Sequence, residues 1–262
     1  MILTSHDRTT DLAAVADRLR SLHRRGNPLL LVNAWDVASA ERVAAAGASA
    51  VATSSAAVVA ALGVPDDRST PVELMLDAIA RIAAAVDVPV SADLLDGYGL
   101  DGAELVDRLL AAGAVGCNLE DSDHEHPGAL VEADAAADRI SAVRAAATRA
   151  GVDIVINARI DAYLHAGPDA TPDVVARGRR YLDAGADCVY PVRLSEPRVA
   201  RDVVEQLDAP VNANVAGGTT VAALAASGVS RISIGPLAFH AALDKVGQVA
   251  AELFGPTAGS GT

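Results

Sequence analysis

"AAGAVGCNLED", residues 111–121, contains one turn of a repeating pattern from which the fold can be read. A helical alanine run stops at Gly113, where glycine suits the left-handed conformation that ends a helix. A strand-like run, 115–120, follows at once and finishes on two acids, Glu120 and Asp121. The same punctuation recurs in "AAAGASA" (44–50), "DAGADC" (183–188) and "ASGVS" (226–230), each with glycine between helix and strand.

Working outward from this unit, β-rich runs appear along the whole chain. They are "PLLLVNA" (28–34), "SAVATS" (49–54), "VPVSAD" (88–93), "VGCNLE" (115–120), "DIVINAR" (153–159), "DCVYPV" (187–192), "PVNANV" (210–215) and "SRISIG" (230–235). They are apolar enough to be buried on both faces, as parallel strands are. Alanine-rich helical segments separate them, and Thr70-Pro71 and Thr171-Pro172 place a capping hydroxyl before a proline in the first helical turn. Eight strands alternating with helices predict an α/β protein, a (β/α)₈ TIM-type barrel forming a single domain over 1–262. An open doubly wound sheet is the alternative, but no glycine-rich dinucleotide fingerprint follows the first strand. A short helical extension is expected over about 1–26, a long helix over "PLAFHAALDKVGQVAAELF" (236–254), and a flexible tail over about 255–262.

A hydrophobic fraction of 51% excludes a disordered chain, and only 3% aromatic residues means a core of Ala, Val, Leu and Ile. The formal charge of −13 disfavours nucleic acid as a partner, because phosphate binding needs clustered Lys and Arg. An anionic small substrate stays open, since one pocket arginine inverts the local field. Cys117 and Cys188 lie in apolar runs and read as small core residues. The N-terminus lacks a signal pattern and no apolar run reaches the roughly 20 residues of a membrane span. The expectation is a soluble, cytoplasmic protein with no membrane partner.

In barrels of this kind chemistry gathers where strands end. Those ends carry Trp35 and Asp36, Ser54 and Ser55, Asp93, Glu120, Arg159, Tyr190 and Asn212, which are the candidate site residues. Asp93 opens into the glycine-bearing loop "LLDGYGL" (94–100). Asp93 and Glu120 suit a hard cation such as Mg²⁺; equally, one of them caps a helix and the other pairs with Arg159. Arg159 has the planar fork that fits a carboxylate. "EDSDHEHPGALVEAD" (120–134) offers His124 and His126 as acid or base in a loop that closes over substrate, or as solvated side chains. Lys245 is the only lysine and falls in the last helix, which argues against Schiff-base chemistry. "NVAGGTT" (214–220) and "SIGPLAF" (233–239) present glycines suited to phosphate, or simply to ending strands.

Four motifs in order resemble the isocitrate lyase/phosphoenolpyruvate mutase superfamily over about residues 28–245. "NAWDVASAERVAAAGASAVATSSAAVVAALGVPD" (33–66) resembles its opening strand–helix–strand, "SADLLDGYG" (91–99) its D-x-[DE]-x-G-[YH]-G signature, "GCNLED" (116–121) its E-D motif, and "INARIDAYL" (156–164) its A-R-x-[DE] strand. The resemblance implies Mg²⁺-dependent chemistry, with Mn²⁺ as a substitute, on 2-oxo or 2-hydroxy carboxylates through an enolate-like species. By position it makes Asp93 the principal metal ligand, with Glu120 holding metal-bound water. It sets Ser54, Ser55 and Arg159 on the substrate carboxylate, and Asp66 in the pocket. It also implies a homo-oligomer, a tetramer or dimer of dimers, that exchanges the last helix between subunits.

Three departures bear on activity. Leu95 stands at the second acidic signature position, and adjacent Asp96 replaces it only if the loop is rotated. The lyase K-[KR]-C-G-H loop is absent, and "DSDHEHPGAL" (121–130) stands where phosphonomutases carry their gating loop. The expected activity is a Mg²⁺-assisted carbon–carbon lyase or decarboxylase acting on a small 2-oxo or 2-hydroxy di-acid. In it Asp93, Glu120 and Asp96 serve the metal, and Arg159, Asp66, His124 and His126 serve the reaction. Cleavage or rearrangement of a carbon–phosphorus bond is the alternative, and a catalytically reduced carboxylate-binding barrel is a third reading.

Overall fold

A computed structural model describes residues 5–254. The expected tail over 255–262 and the first four residues of the N-terminal extension lie outside the described residues. All eight strand-like runs form strands, every pairing among them is parallel, and helices fill the intervals.

The first run divides into β1 (Leu29–Leu31) and β2 (Asn33–Ala34), because its two halves serve different neighbours. After them come β3 (Val51–Thr53), β4 (Val90–Asp93), β5 (Gly116–Glu120), β6 (Val155–Ile160), β7 (Cys188–Pro191), β8 (Asn212–Asn214) and β9 (Arg231–Ser233). β2 through β7 pair in sequence order, while β1 pairs with β9 and β9 with β8. A parallel bridge between Val189 and Val211 joins β7 to β8 and closes the ring. Tilted strands meet each neighbour at a different end, so a split first strand is what a sheared barrel requires.

The helices are α1 (Ser5–Ser21), α2 (Val37–Ala45), α3 (Ser55–Leu62), α4 (Val72–Ala84), α5 (Gly102–Ala111), α6 (Ala133–Ala150), α7 (Ala162–Ala166), α8 (Thr171–Asp183), α9 (Pro197–Leu207), α10 (Val221–Ala226) and α11 (Leu237–Phe254). α5 illustrates how sequence makes the repeat. Asp101 caps it, its carboxylate accepting from Ala103 N and Glu104 N, and Leu105, Val106 and Leu109 form its buried face. Gly113 then takes a φ of 80° and the chain turns into β5. At the other end a Cβ on Gly102 would lie 2.7 Å from the Ala142 backbone, so glycine lets α5 approach α6 closely.

Two expected caps are corrected. Thr70 Oγ1 donates to the Pro65 carbonyl, closing the preceding turn, and α4 has Pro71 at its N-cap with no side-chain cap. Thr171 lies inside the first turn of α8, where its hydroxyl donates to the Pro168 carbonyl. In both, a nearby carbonyl captures the hydroxyl before the helix amides can use it.

α1 plugs the N-terminal mouth of the barrel. Leu19 is fully buried against Gly116, and Arg20 reaches Asp187 at 2.8 Å and the Asp153 carbonyl at 2.6 Å. With that end closed, a ligand enters only from the opposite rim, where the strands end. Cys117 and Cys188 are free, fully buried thiols, each pushed up to about 12 by burial. Lys245 is exposed on α11. Among the described residues no helix is long and apolar enough to cross a membrane.

Candidate active site

The ends of β4, β5 and β6 bring Asp93, Glu120 and Arg159 side by side; Glu120 and Arg159 are paired in register. Asp93 is held by three donors. Its Oδ2 accepts from Ser55 N and Ser55 Oγ, both at 3.0 Å, and its Oδ1 accepts from Asn118 Nδ2 at 3.2 Å. Asp93 thus caps the first amide of α3, the helix that follows the neighbouring strand β3. A carboxylate offers about four lone-pair directions, so these three donors leave one uncommitted.

Glu120 is buried, with Oε2 2.6 Å from Arg159 Nη1 and Oε1 2.9 Å from His124 Nε2. Burial pushes the Glu120 carboxyl up, against the opposing pull of Arg159 and His124. Arg159 also grips Asp161 side-on, through Nε at 2.6 Å and Nη2 at 2.9 Å. Burial works against the Arg159 charge, but the carboxylates of Glu120 and Asp161 outweigh it and raise the guanidinium further. Three of its five N–H groups are committed, leaving two for a ligand carboxylate. Asp161 is fixed in turn by the Ser122 hydroxyl.

The loop after β5 separates the two candidate histidines. His124 folds back onto Glu120, its side chain only 13% exposed, and that contact raises its pKa. His126 is 76% exposed and pairs with Asp123 on the outer side of the loop. Asp121, next to Glu120, ties the loop base down: it accepts from Tyr181 Oη at 2.7 Å, Arg177 Nη1 at 3.2 Å and Asp161 N at 2.9 Å. Beneath the loop is a cleft of about 510 Å³ lined by Asp66, Arg68, Glu120, Ser122 and His124. Asp66 stands at its solvent-exposed rim, where partial desolvation and then the Asp93 charge push its carboxyl up.

Loop 94–99 is strained. Leu95 and Tyr98 adopt φ of 50° and 55°, a region that favours glycine, and Gly97 and Gly99 on either side of Tyr98 also lie there. Leu95 is buried, and its carbonyl accepts from Glu120 N at 2.9 Å, so its backbone holds the next strand end although its side chain offers no ligand. Asp96 is engaged by two arginines. Its Oδ2 lies 2.8 Å from Arg68 Nη2 and 3.6 Å from Arg139 Nη1.

The remaining candidates divide. Ser54 caps α3 through Ala57 N at 3.4 Å, Tyr190 accepts from Asn214 Nδ2 at 2.9 Å, and Asn212 is wholly buried inside the barrel. Trp35 stacks edge-on with Phe239 at 5.3 Å and Asp36 is the capping residue of α2; both line a separate apolar cleft among α2, α3 and α4. Sequence reasoning left out Asn118, Asn157 and Arg231, buried polar residues of β5, β6 and β9 that meet inside the barrel. Their signal was faint: an arginine in "SRISIG" has no reason to be there unless something inside uses it.

Among the described residues no three His, Cys, Asp or Glu side chains converge to enclose a metal ion. The donors available are oxygens: the uncommitted lone pair of Asp93 and Tyr98 Oη, which is buried without a hydrogen bond, beside a Glu120 carboxylate already in contact with Arg159 and His124. That set suits a hard cation held by one or two carboxylates with water in its other positions, as Mg²⁺ is, and not a soft or tetrahedral site.

The phosphoenolpyruvate phosphomutase family model matches residues 19–254. The chain is 30% identical over 206 residues to 2-methylisocitrate lyase of Escherichia coli K12, covering 75% of this chain and 68% of that protein. Its fold is similar to a protein of Burkholderia cenocepacia J2315 described provisionally as a phosphonomutase, with 41% identity, a TM-score of 0.87, and 92% and 99% of the two chains covered. It is also similar to 2,3-dimethylmalate lyase, at 25% identity and a TM-score of 0.80, covering 92% of this chain and 88% of that one. The parallel barrel, the acids at its strand ends and these likenesses agree: the chain belongs to the phosphoenolpyruvate mutase/isocitrate lyase superfamily, a family of lyases and mutases.

Proposed function

We propose that the protein is a Mg²⁺-dependent carbon–carbon lyase for a small 2-oxo or 2-hydroxy di-acid, working through an enolate-like species. The observation that carries this reading is the contiguous set of Asp93, Glu120 and Arg159 on three adjacent strand ends, under a loop that brings His124 onto Glu120. Its likeness to 2-methylisocitrate lyase and 2,3-dimethylmalate lyase supports the choice of carbon–carbon cleavage.

Bound Mg²⁺ or Mn²⁺ would be held at Asp93, and would supply Lewis-acid stabilisation of charge developing on the substrate's oxygen. The two uncommitted N–H groups of Arg159 orient one substrate carboxylate, and the turn at Ser54 and Ser55 backs it. For a 2-hydroxy di-acid, a base takes the hydroxyl proton and the hydroxyl carbon becomes the carbonyl of a 2-oxo acid as the adjacent carbon–carbon bond breaks. The bonding pair passes to the other fragment as an enolate-like carbanion, whose carbon then takes a proton. His124 on Glu120 is placed to deliver that proton, and Asp66 at the rim is the second proton-carrying group. The strap from 121 to 131 shields the cleft from water.

Carbon–phosphorus chemistry is the second reading, favoured by the 41% identity to a provisional phosphonomutase. The test is a panel of 2-oxo and 2-hydroxy di-acids with phosphonopyruvate, each assayed for release of a 2-oxo acid or phosphate with Mg²⁺ and with chelator. Release from a di-acid that vanishes on chelation and in Asp93→Ala supports the lyase reading. Release from phosphonopyruvate alone overturns it. No turnover together with tight, metal-free oxalate binding would establish a carboxylate-binding barrel.

A further inference from the structure

Arg231 is among the largest fully buried side chains of the described residues, and it lies inside the barrel rather than at its mouth. No carboxylate touches it. Its Nη2 donates to Ser91 Oγ at 3.3 Å and to Asn118 Oδ1 at 3.5 Å, while Nε and Nη1 have no protein partner. An arginine so placed costs stability, and apolar replacements of buried charges are often neutral or stabilising. Its presence needs a reason other than folding.

Asn118 supplies one. The Asn118 amide lies between Arg231 and Asp93, with Oδ1 toward the guanidinium and Nδ2 donating to Asp93 Oδ1 at 3.2 Å. Arginine only donates and an ionised carboxylate only accepts, so cation and anion fix the same orientation of one amide. The other side of the barrel agrees. Asn212 Nδ2 donates to the Ala213 carbonyl, which turns Asn212 Oδ1 toward Asn157; Asn157 Nδ2 then donates to Asn212 Oδ1 at 3.3 Å and to Asn118 Oδ1 at 2.8 Å. Every hydrogen bond meeting at Asn118 has one direction only, and chains of this kind reinforce one another in a low-dielectric interior.

We propose that Arg231 is a positioning residue for the Asp93 site, acting through Asn118 to fix the direction of the one lone pair that Asp93 leaves uncommitted. The proposal rests on the reading of Asp93 as the cation-holding carboxylate. Asn118 holds one carboxylate oxygen and Ser55 the other, so the carboxylate plane is set from both sides. Without Arg231, the amide keeps Asn157 but loses its charged anchor.

The test uses the full-length protein, a double-mutant cycle and two readouts. Asparagine-selective ¹⁵N labelling follows the Asn118 side-chain amide, identified by its loss in Asn118→Leu. In Arg231→Met that signal should shift and exchange with water at least about tenfold faster, while the melting temperature stays the same or rises. Arg231→Lys, which still donates, should restore it. Mn²⁺ affinity, read from free Mn²⁺ by electron paramagnetic resonance, should weaken about tenfold in Arg231→Met, within the range of outer-shell effects on metal sites. In the Asn118→Leu background the same change should have less than about a twofold effect.

The sign discriminates. A field acting directly from Arg231 opposes a cation, so its removal would tighten Mn²⁺ equally in both backgrounds; that result overturns the proposal. So does an Asn118 signal unmoved by Arg231→Met, or a melting temperature that falls while Mn²⁺ affinity is unchanged. Arg231→Leu serves as the apolar variant if Met does not pack. A wild-type protein that binds no Mn²⁺ overturns the metal reading of the site, and the amide signals then decide the Arg231–Asn118 link alone.

Discussion

His124 and His126 are two residues apart, of one chemical type, in one loop, and the structure gives them opposite circumstances. His124 Nε2 meets Glu120 at 2.9 Å over the cleft, whereas His126 stands 76% exposed on the far side. Positioned acid–base groups contribute about 10²–10⁴-fold to rate, and a solvated histidine contributes nothing of the kind. His124→Gln should therefore reduce single-turnover rate by about a hundredfold or more, while His126→Gln stays within about twofold of wild type. Oxalate affinity should survive in both, because Arg159 keeps two N–H groups for a carboxylate. Equal rates in the two variants would take His124 out of the reaction and leave Asp66 as the proton carrier. Sequence could not separate the pair, because only the reversal of the loop after Asp121 decides which ring turns inward. Asp93, Glu120 and Arg159 were legible for the opposite reason: a charged residue ending an apolar run in a barrel has one place to go. Arg231 was not, since one polar letter within a strand does not tell which face it takes.

The strand and helix pattern could be read because its signals are local: glycine past each helix end, then a β-rich run. The caps at Thr70 and Thr171 were misread because the carbonyls that capture them, Pro65 and Pro168, are brought near by turns that no motif announces. The link from α1 to β1 holds a further element-scale consequence. His23 Nδ1 donates to the Leu19 carbonyl, 3.0 Å away, and its Nε2 is buried with no partner. Burial, then the charge of Arg231, lowers its pKa to about 4, although Asp187 pulls the other way. A histidine depressed from about 6.5 binds its proton more readily in the unfolded chain, so the folded state loses stability as pH falls from 6.5 toward 4. The shift corresponds to about 3 kcal/mol, fully present above pH 6.5 and lost near pH 4. Urea unfolding at pH 7.5, 6.0 and 5.0 measures it. His23→Leu should flatten the fall relative to wild type, and parallel curves would show that acid sensitivity comes from the buried carboxylates alone.

At the scale of the whole molecule, α11 is the element the barrel does not account for. Phe239 is buried against Trp35, and positions four, seven and fourteen residues further on, Leu243, Val246 and Leu253, fall on the same helical face. Yet those three are exposed, at 52%, 65% and 73%, with Phe254 beyond them at 86%. The apolar stripe that docks the start of the helix therefore continues past the barrel edge with none of the described residues over it. A contiguous stripe of this kind marks an interface in a soluble protein, and the apolar cleft among α2, α3 and α4 is a surface of matching character. We expect a second copy to cover it, as the sequence resemblance implies. Val246→Glu with Leu253→Glu places two charges in that stripe, where burial without a partner is unfavourable. The double variant should sediment as a smaller species than wild type, with circular dichroism unchanged and a melting temperature that no longer rises with protein concentration. Wild type already monomeric at tens of micromolar would refute assembly through α11. Turnover measured on the dissociated variant then answers a separate question: activity retained would mean that Asp93, Glu120 and Arg159 form a working site within one chain.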